Sequence, residues 1–146
     1  MPSLSTWLED PLAHRALDAL VRAETSVTRR LGADLERRGI SGTGFSMLVV
    51  LGSAGGALEL RTLRLRLGIS KANASEVAAT LEARGLIRRE RSPRDRRSVL
   101  VWITPAGERL LGAVFPDHAR RVRDTFTPLD DEEKRTLARL CRKLAA

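Results

Sequence analysis

Eleven basic side chains fall between Arg61 and Arg97 against four acidic ones, Glu76, Glu82, Glu90 and Asp95, so this segment carries +7 of a net charge of +8. Positive charge concentrated in this way is what displaces counterions from a nucleic-acid backbone. The other groups that could do chemistry are His14, His118 and Cys141. They show no metal-ligand spacing and belong to no nucleophile elbow or phosphate loop, so no catalytic residue, metal site or cofactor is expected. Cys141 falls in a stripe with Leu137, Leu140 and Leu144, which predicts a buried small hydrophobe rather than a reactive thiol. Aromatic residues make up 3% of the chain, with no Tyr. That disfavours single-strand binding, which needs exposed rings for bases to stack on, and leaves duplex binding by charge and groove shape.

The basic residues must be positioned by residues 70–104. Ala74, Val77, Ala78 and Leu81 recur at i, i+3, i+4 and i+7, which predicts a helix with one buried face and with Lys71, Ala72, Ser75, Glu76 and Ala79 turned outward. Ser70 is its N-cap and Gly85 its stop. Leu86 and Ile87 begin a strand, the chain turns at Ser92-Pro93-Arg94-Asp95, and Val99, Val101 and Ile103 alternate with Leu100 and Trp102 as a second strand. The expectation is a two-stranded hairpin with a charged tip. Upstream, Leu60, Leu63 and Leu67 predict a helix over about 59–67 whose other side carries Arg61 and Arg64, a register that leaves Leu65 unexplained. Gly68-Ile69-Ser70 then turns tightly into the next helix, so the two form a helix-turn-helix, and with the hairpin a winged helix.

Longer helices flank this unit. Asp10-Pro11 reads as an N-cap followed by proline at the first helical position, and the helix runs to about residue 38. Along it Leu17, Leu20, Glu24, Val27, Leu31 and Leu35 form a seam that serves either a partner chain or an ordinary core. Gly39, Gly42 and Gly44 break the pattern, and Phe45, Leu48, Val49 and Leu51 restart it as a short helix ending near Gly52-Ser53. Thr104-Pro105 starts a fifth helix, where Pro116 predicts a bend or a division into two. Asp130 to Glu133 has capping-box spacing and opens an amphipathic last helix. The fold class is therefore dominated by α-helix with a small β-hairpin wing. One domain covers 1–146, its winged helix-turn-helix at 41–104 lying between flanking helices at 10–38 and 105–146. The apolar share of 42% suits a folded chain. The N-terminal stretch lacks a basic region followed by an apolar one, and no apolar run reaches the ~18 residues of a membrane span, so a cytoplasmic protein without membrane contact is expected.

Gly85-Leu86-Ile87-Arg88-Arg89, Asp95-Arg96-Arg97 and Val99-Leu100-Val101-Trp102-Ile103-Thr104-Pro105-Ala106-Gly107, in this order of elements, resemble the MarR family of bacterial transcriptional regulators over about residues 10–145. The Asp-x-Arg wing followed by a strand and Thr-x-x-Gly carries most of the likeness. The resemblance implies a homodimer with interlocked terminal helices, a fourth helix that enters the major groove and a wing arginine that enters the minor groove. Arg97 matches that arginine, Asp95 the acid that orients it, and Ser75 a small hydroxyl position of the recognition helix. Glu76 departs from the family, which usually has Arg there; it either accepts a hydrogen bond from a cytosine amino group or pairs with a neighbouring Arg.

The residues expected at DNA are thus Arg61, Ser70, Lys71, Asn73, Ser75, Glu76, Arg94, Asp95, Arg96 and Arg97, with Arg64 as a further phosphate contact. Helices one and five of the family lie near an effector pocket, which makes His14, His118 and Phe45 its candidate lining, although Phe45 also fits the core. The expected function is that of a dimeric, sequence-specific regulator on pseudo-palindromic duplex DNA, a repressor released by a small-molecule effector. The alternative is a winged-helix protein-interaction module in which Glu76 marks loss of groove recognition; salt-sensitive duplex binding separates the two.

Overall fold

The computed structural model describes Met1 and residues 3–146. A single turn of 3-10 helix, Leu4–Trp7, leads into α1, Pro11–Arg37, whose Asp10 cap accepts the Leu12 and Ala13 N–H groups at 3.0 Å each. Helix α2 spans Gly42–Ser53, so Gly42 and Gly44 lie inside it and do not break it. The Ser41 hydroxyl accepts the Gly44 N–H at 3.0 Å. Gly44 is buried where a Cβ would sit 3.1 Å from the Ser41 hydroxyl and 3.3 Å from a Leu81 methyl, so its smallness serves helix packing.

A strand that the sequence did not announce follows: β1, Ala57–Glu59, directly before α3, Leu60–Leu67, and α4, Lys71–Ala83. Strands β2, Ile87–Arg91, and β3, Val99–Ile103, form the expected hairpin, but β1 pairs with the other edge of β3. The sheet is three-stranded and antiparallel in the order β1-β3-β2, with Leu58 and Arg89 flanking Val101. Buried Val101 anchors it to a core of Met47, Leu48, Leu51, Leu63 and Ala78. Leu65, which fits no buried face of α3, is exposed between Arg64 and Arg66.

The end of α4 and the start of α5, Pro105–Thr125, are joined through Thr104. Its hydroxyl donates to the Gly85 carbonyl at 2.6 Å and accepts the Gly107 N–H at 3.1 Å. Gly85 itself has φ +71°, the left-handed region that a β-carbon disfavours. A Cβ at Gly107 would lie 2.2 Å from the Leu86 carbonyl oxygen, so only glycine lets α5 seat on this turn. The Thr-x-x-Gly pattern is therefore a docking joint between the wing and α5.

Proline 116 neither divides α5 nor ends it, because one helix continues through Thr125. The carbonyl deprived of its N–H partner belongs to Gly112, which lies with Pro116 on the solvent-exposed face. The last helix, α6, Asp131–Ala145, opens with a reciprocal capping box between Asp130 and Glu133, at 2.8 and 2.9 Å. It buries none of its residues within the chain, and Cys141 is exposed, contrary to the sequence expectation. Its stripe of Leu137, Leu140 and Leu144 faces outward, because none of the described residues of other elements covers it. Helix α1 is similar: of 27 residues only Leu35 is buried, while Leu12, Leu17, Leu20 and Val21 are exposed.

Candidate nucleic-acid interface

Of the eleven cations in the basic segment, three are held by the fold itself. Arg84 donates to the Gly39 carbonyl, Arg88 pairs with Glu90 at 3.1 Å, and Arg89 pairs with Glu82 at 3.1 Å. The Glu82 carboxylate also accepts the Arg89 backbone N–H at 2.8 Å, tying the end of α4 to β2. The guanidinium and then the backbone N–H of Arg89 hold the Glu82 carboxyl below its ordinary value, against the opposing pull of partial desolvation. The Arg88 guanidinium lies 6.0 Å from the centroid of Trp102, the half-exposed outer face of β3.

Six of the other cations converge. Arg61 and Arg64 of α3, Lys71 of α4, and Arg91, Arg96 and Arg97 of the wing line a cleft of about 740 Å³ between these three elements. Its acids are Glu59 and Asp95, and Asp95 is already engaged. The Asp95 carboxylate accepts the Arg97 backbone N–H at 2.9 Å and not its guanidinium, so it shapes the turn and leaves the fork of Arg97 free. This corrects the expectation that Asp95 orients the arginine side chain. A concave surface lined by three helical and three wing cations is suited to a phosphate backbone, and a low-dielectric wall strengthens its field.

Among the residues expected at DNA, Arg61, Lys71, Ser75, Asp95, Arg96 and Arg97 meet in this cleft. Arg94 stands exposed at the wing tip, its backbone N–H donating to the Ser92 hydroxyl at 3.3 Å. Ser70 caps α4, accepting the Asn73 N–H at 3.1 Å. Asn73 and Glu76 lie on the opposite flank of α4, beside a smaller cleft that Gly39, Thr80 and Arg84 also line. Among the described residues the Glu76 carboxylate has no ion-pair partner, so internal pairing with a neighbouring Arg is not formed. Sequence reading missed Arg91; it sits on β2 only because the hairpin register sets it opposite Val99 at the cleft wall.

A second, larger cleft of about 960 Å³ separates α1 from the winged helix. Val27, Leu31 and Leu35 of α1, Phe45 of α2, Ile69 and His118 of α5 line it. His118 packs edge-on against Phe45 with ring centroids 4.8 Å apart, and its Nδ1 is buried without a hydrogen-bond partner. His14 is exposed on the first turn of α1, outside this cleft, so only two of the three expected effector residues come together. Beside the cleft, half-buried Asp34 of α1 meets Arg37, Arg38 and Arg121 at 3.0, 3.5 and 3.2 Å, and Arg38 reaches Asp117 at 3.2 Å. Desolvation pushes the Asp34 carboxyl up, but Arg121, the hydrogen bond from Arg37 and the charge of Arg38 outweigh it, and the group is held below its ordinary value. This network locks the end of α1 to α5.

Desolvation lowers the His118 imidazole below its ordinary value of 6.5. The unfolded chain therefore takes up this proton before the folded one does, and the stability contributed by neutral His118 is complete above pH 6.5 and is lost as the pH falls below it. Urea midpoints measured between pH 7.5 and 5.5 should fall more steeply for wild type than for His118→Phe. Identical slopes would show that this ring takes up its proton at the same pH in the folded and unfolded states.

A helix-turn-helix, a basic β-wing and cations converging between them define a winged helix-turn-helix protein of the DNA-binding type. The model of the MarR family matches residues 38–98, from the end of α1 to the wing. The helix-turn-helix transcriptional regulator YkoM of Bacillus subtilis is 32% identical over 122 residues, covering 84% of this chain and 79% of YkoM. Two solved structures superpose closely. Sco3205 of Streptomyces coelicolor, a MarR family regulator in complex with DNA, has TM-score 0.85 and 25% identity, covering 99% of this chain and 90% of Sco3205. BpsR of Bordetella bronchiseptica, whose DNA binding is regulated by 6-hydroxynicotinic acid, has TM-score 0.80 and 26% identity, covering 90% of this chain and 99% of BpsR. The chain belongs to the MarR family and is a regulator of transcription, not an enzyme.

Proposed function

We propose that the protein acts as a homodimer on pseudo-palindromic duplex DNA and represses transcription until a small molecule releases it. The observation that carries this reading is the cleft in which α3, α4 and the wing converge six cations with their side chains free of fold-internal ion pairs. Arg61, Arg64 and Lys71 contact phosphates there, and α4, with Ser70, Asn73, Ser75 and Glu76, lies in the major groove beside them. Arg97 enters the flanking minor groove, with Arg94 and Arg96 along the backbone. The second cleft accounts for release. It combines apolar walls from Val27, Leu31, Leu35, Phe45 and Ile69 with the charged groups of Glu24, Arg29 and Glu36, has one buried imidazole nitrogen without a partner, and lies between α1 and the winged helix, where a bound molecule would bias their relative position. The regulation of BpsR by 6-hydroxynicotinic acid, a small hydroxylated aromatic acid, supports an effector of that general class, and Arg29 on the cleft wall offers it a cation.

Selection of bound duplexes from the genomic DNA of the source organism, followed by footprinting, tests the reading. Two protected half-sites related by a dyad, on the order of 10 bp apart, are expected, because a two-fold dimer presents two recognition helices one turn of the duplex apart. Protection without a dyad, or tight binding to an isolated half-site, would contradict it.

A further inference from the structure

The outermost line of α4 is made of Ala72, Glu76, Ala79 and Ala83, all exposed and opposite buried Ala74, Ala78 and Leu81. Glu76 is the one polar side chain on that line, with methyl groups one turn before and after it, so nothing else at the apex reaches as far. Its neighbours at i−4, i−3, i+3 and i+4 are Ala72, Asn73, Ala79 and Thr80, which excludes a helical ion pair. The Arg84 guanidinium, on the same flank, is held by the Gly39 carbonyl. The three other acids of the basic segment all serve the fold: Glu82 binds Arg89, Glu90 binds Arg88, and Asp95 binds the Arg97 N–H. Glu76 alone offers an uncommitted carboxylate on the face that enters the groove.

A free carboxylate brought toward phosphates weakens binding unless it accepts a hydrogen bond from a base. In the major groove guanine and thymine present acceptors there, and adenine sets its N7 acceptor beside its amino group. The cytosine N4 amino group is flanked on its own ring only by C5–H, so a carboxylate can approach it from that side. Building on the DNA-binding reading above, we propose that Glu76 is a specificity-determining residue that accepts a hydrogen bond from the N4 amino group of one cytosine in each half-site. The alanines around it let the helix approach closely enough for this contact.

Selection from a randomised duplex library by the full-length wild type, Glu76→Gln and Glu76→Ala tests the assignment. Wild type should enrich cytosine at one position per half-site, and replacing that base should weaken it roughly 5- to 100-fold. Glu76→Gln should move the preference at that position alone to adenine, whose N6 and N7 a Gln side chain can engage. Glu76→Ala should bind without preference there while keeping every other position. Retention of all wild-type preferences by Glu76→Ala would overturn the proposal and leave DNA binding intact. Failure of wild type to enrich any sequence would instead remove the DNA-binding reading on which the proposal rests.

Discussion

Arg97→Ala should lose about 1–3 kcal/mol of operator affinity, roughly 5- to 150-fold, while its fold and its weak binding to random duplex change little. The guanidinium stands at the cleft rim on an exposed turn, and it makes no ion pair among the described residues. Its backbone is fixed by Asp95, so the side chain begins from a set position and can enter a narrow, electronegative minor groove. Arg94→Ala offers the contrast. That residue lies at the wing tip with no partner in the cleft, and its loss should weaken all duplexes alike and reduce the salt slope by about one phosphate contact. Asp95→Ala should act indirectly, by loosening the 92–98 turn, and so should lower affinity less than Arg97→Ala does. Fluorescence titrations against operator and random duplex at two salt concentrations separate these effects. Equal operator affinity for wild type and Arg97→Ala would remove the wing from sequence recognition.

Leu140→Glu should convert a dimer into a monomer at micromolar concentration in sedimentation, with loss of tight operator binding. Leu140 is 49% exposed in the single chain, Leu144 73% and Leu17 56%, so none of them is held by its own fold. An amphipathic helix of 15 residues that buries nothing is only marginally stable by itself in water. The first turns of α1 and the last helix, together with Phe115 of α5, therefore present apolar surface that a second copy of the chain would cover. A carboxylate placed there costs upward of ~3 kcal/mol when buried unpaired, and an isologous interface receives it from both chains. The exposed Arg139→Glu should leave the dimer unchanged. A Leu140→Glu protein that sediments as wild type would exclude α6 from the interface.

The resemblance already implied a wing arginine and a dimer through the terminal helices; what the structure changes is their basis, since Asp95 holds the Arg97 backbone and not its fork, and the stripe around Leu140 and Cys141 is exposed in the single chain. Whatever depends on residues a few positions apart was legible in order. Asp10, Ser70, Thr104 and Asp130 cap their helices through bonds spanning two or three residues, and the buried stripe of α4 repeats every turn, so type and spacing determined these elements and the concentration of charge from Arg61 to Arg97. Whatever depends on distant partners was decided by packing. Strand β1 is three residues long and exists because β3, some forty residues later, has a second edge to pair. Gly42 and Gly44 could be read as a break until Leu81 of another helix packed close to Gly44. The stripe containing Cys141 is apolar in sequence, but exposure depends on what lies over it, and none of the described residues does. The same holds for charge. The segment counts eleven cations, but only the fold separates Arg84, held by the Gly39 carbonyl, and Arg88 and Arg89, paired with Glu90 and Glu82, from the six that share a cleft, and leaves Glu76 without an ion-pair partner among the described residues. Local bonding is fixed by the order of residues, whereas burial and charge pairing are properties of the neighbours that folding brings together.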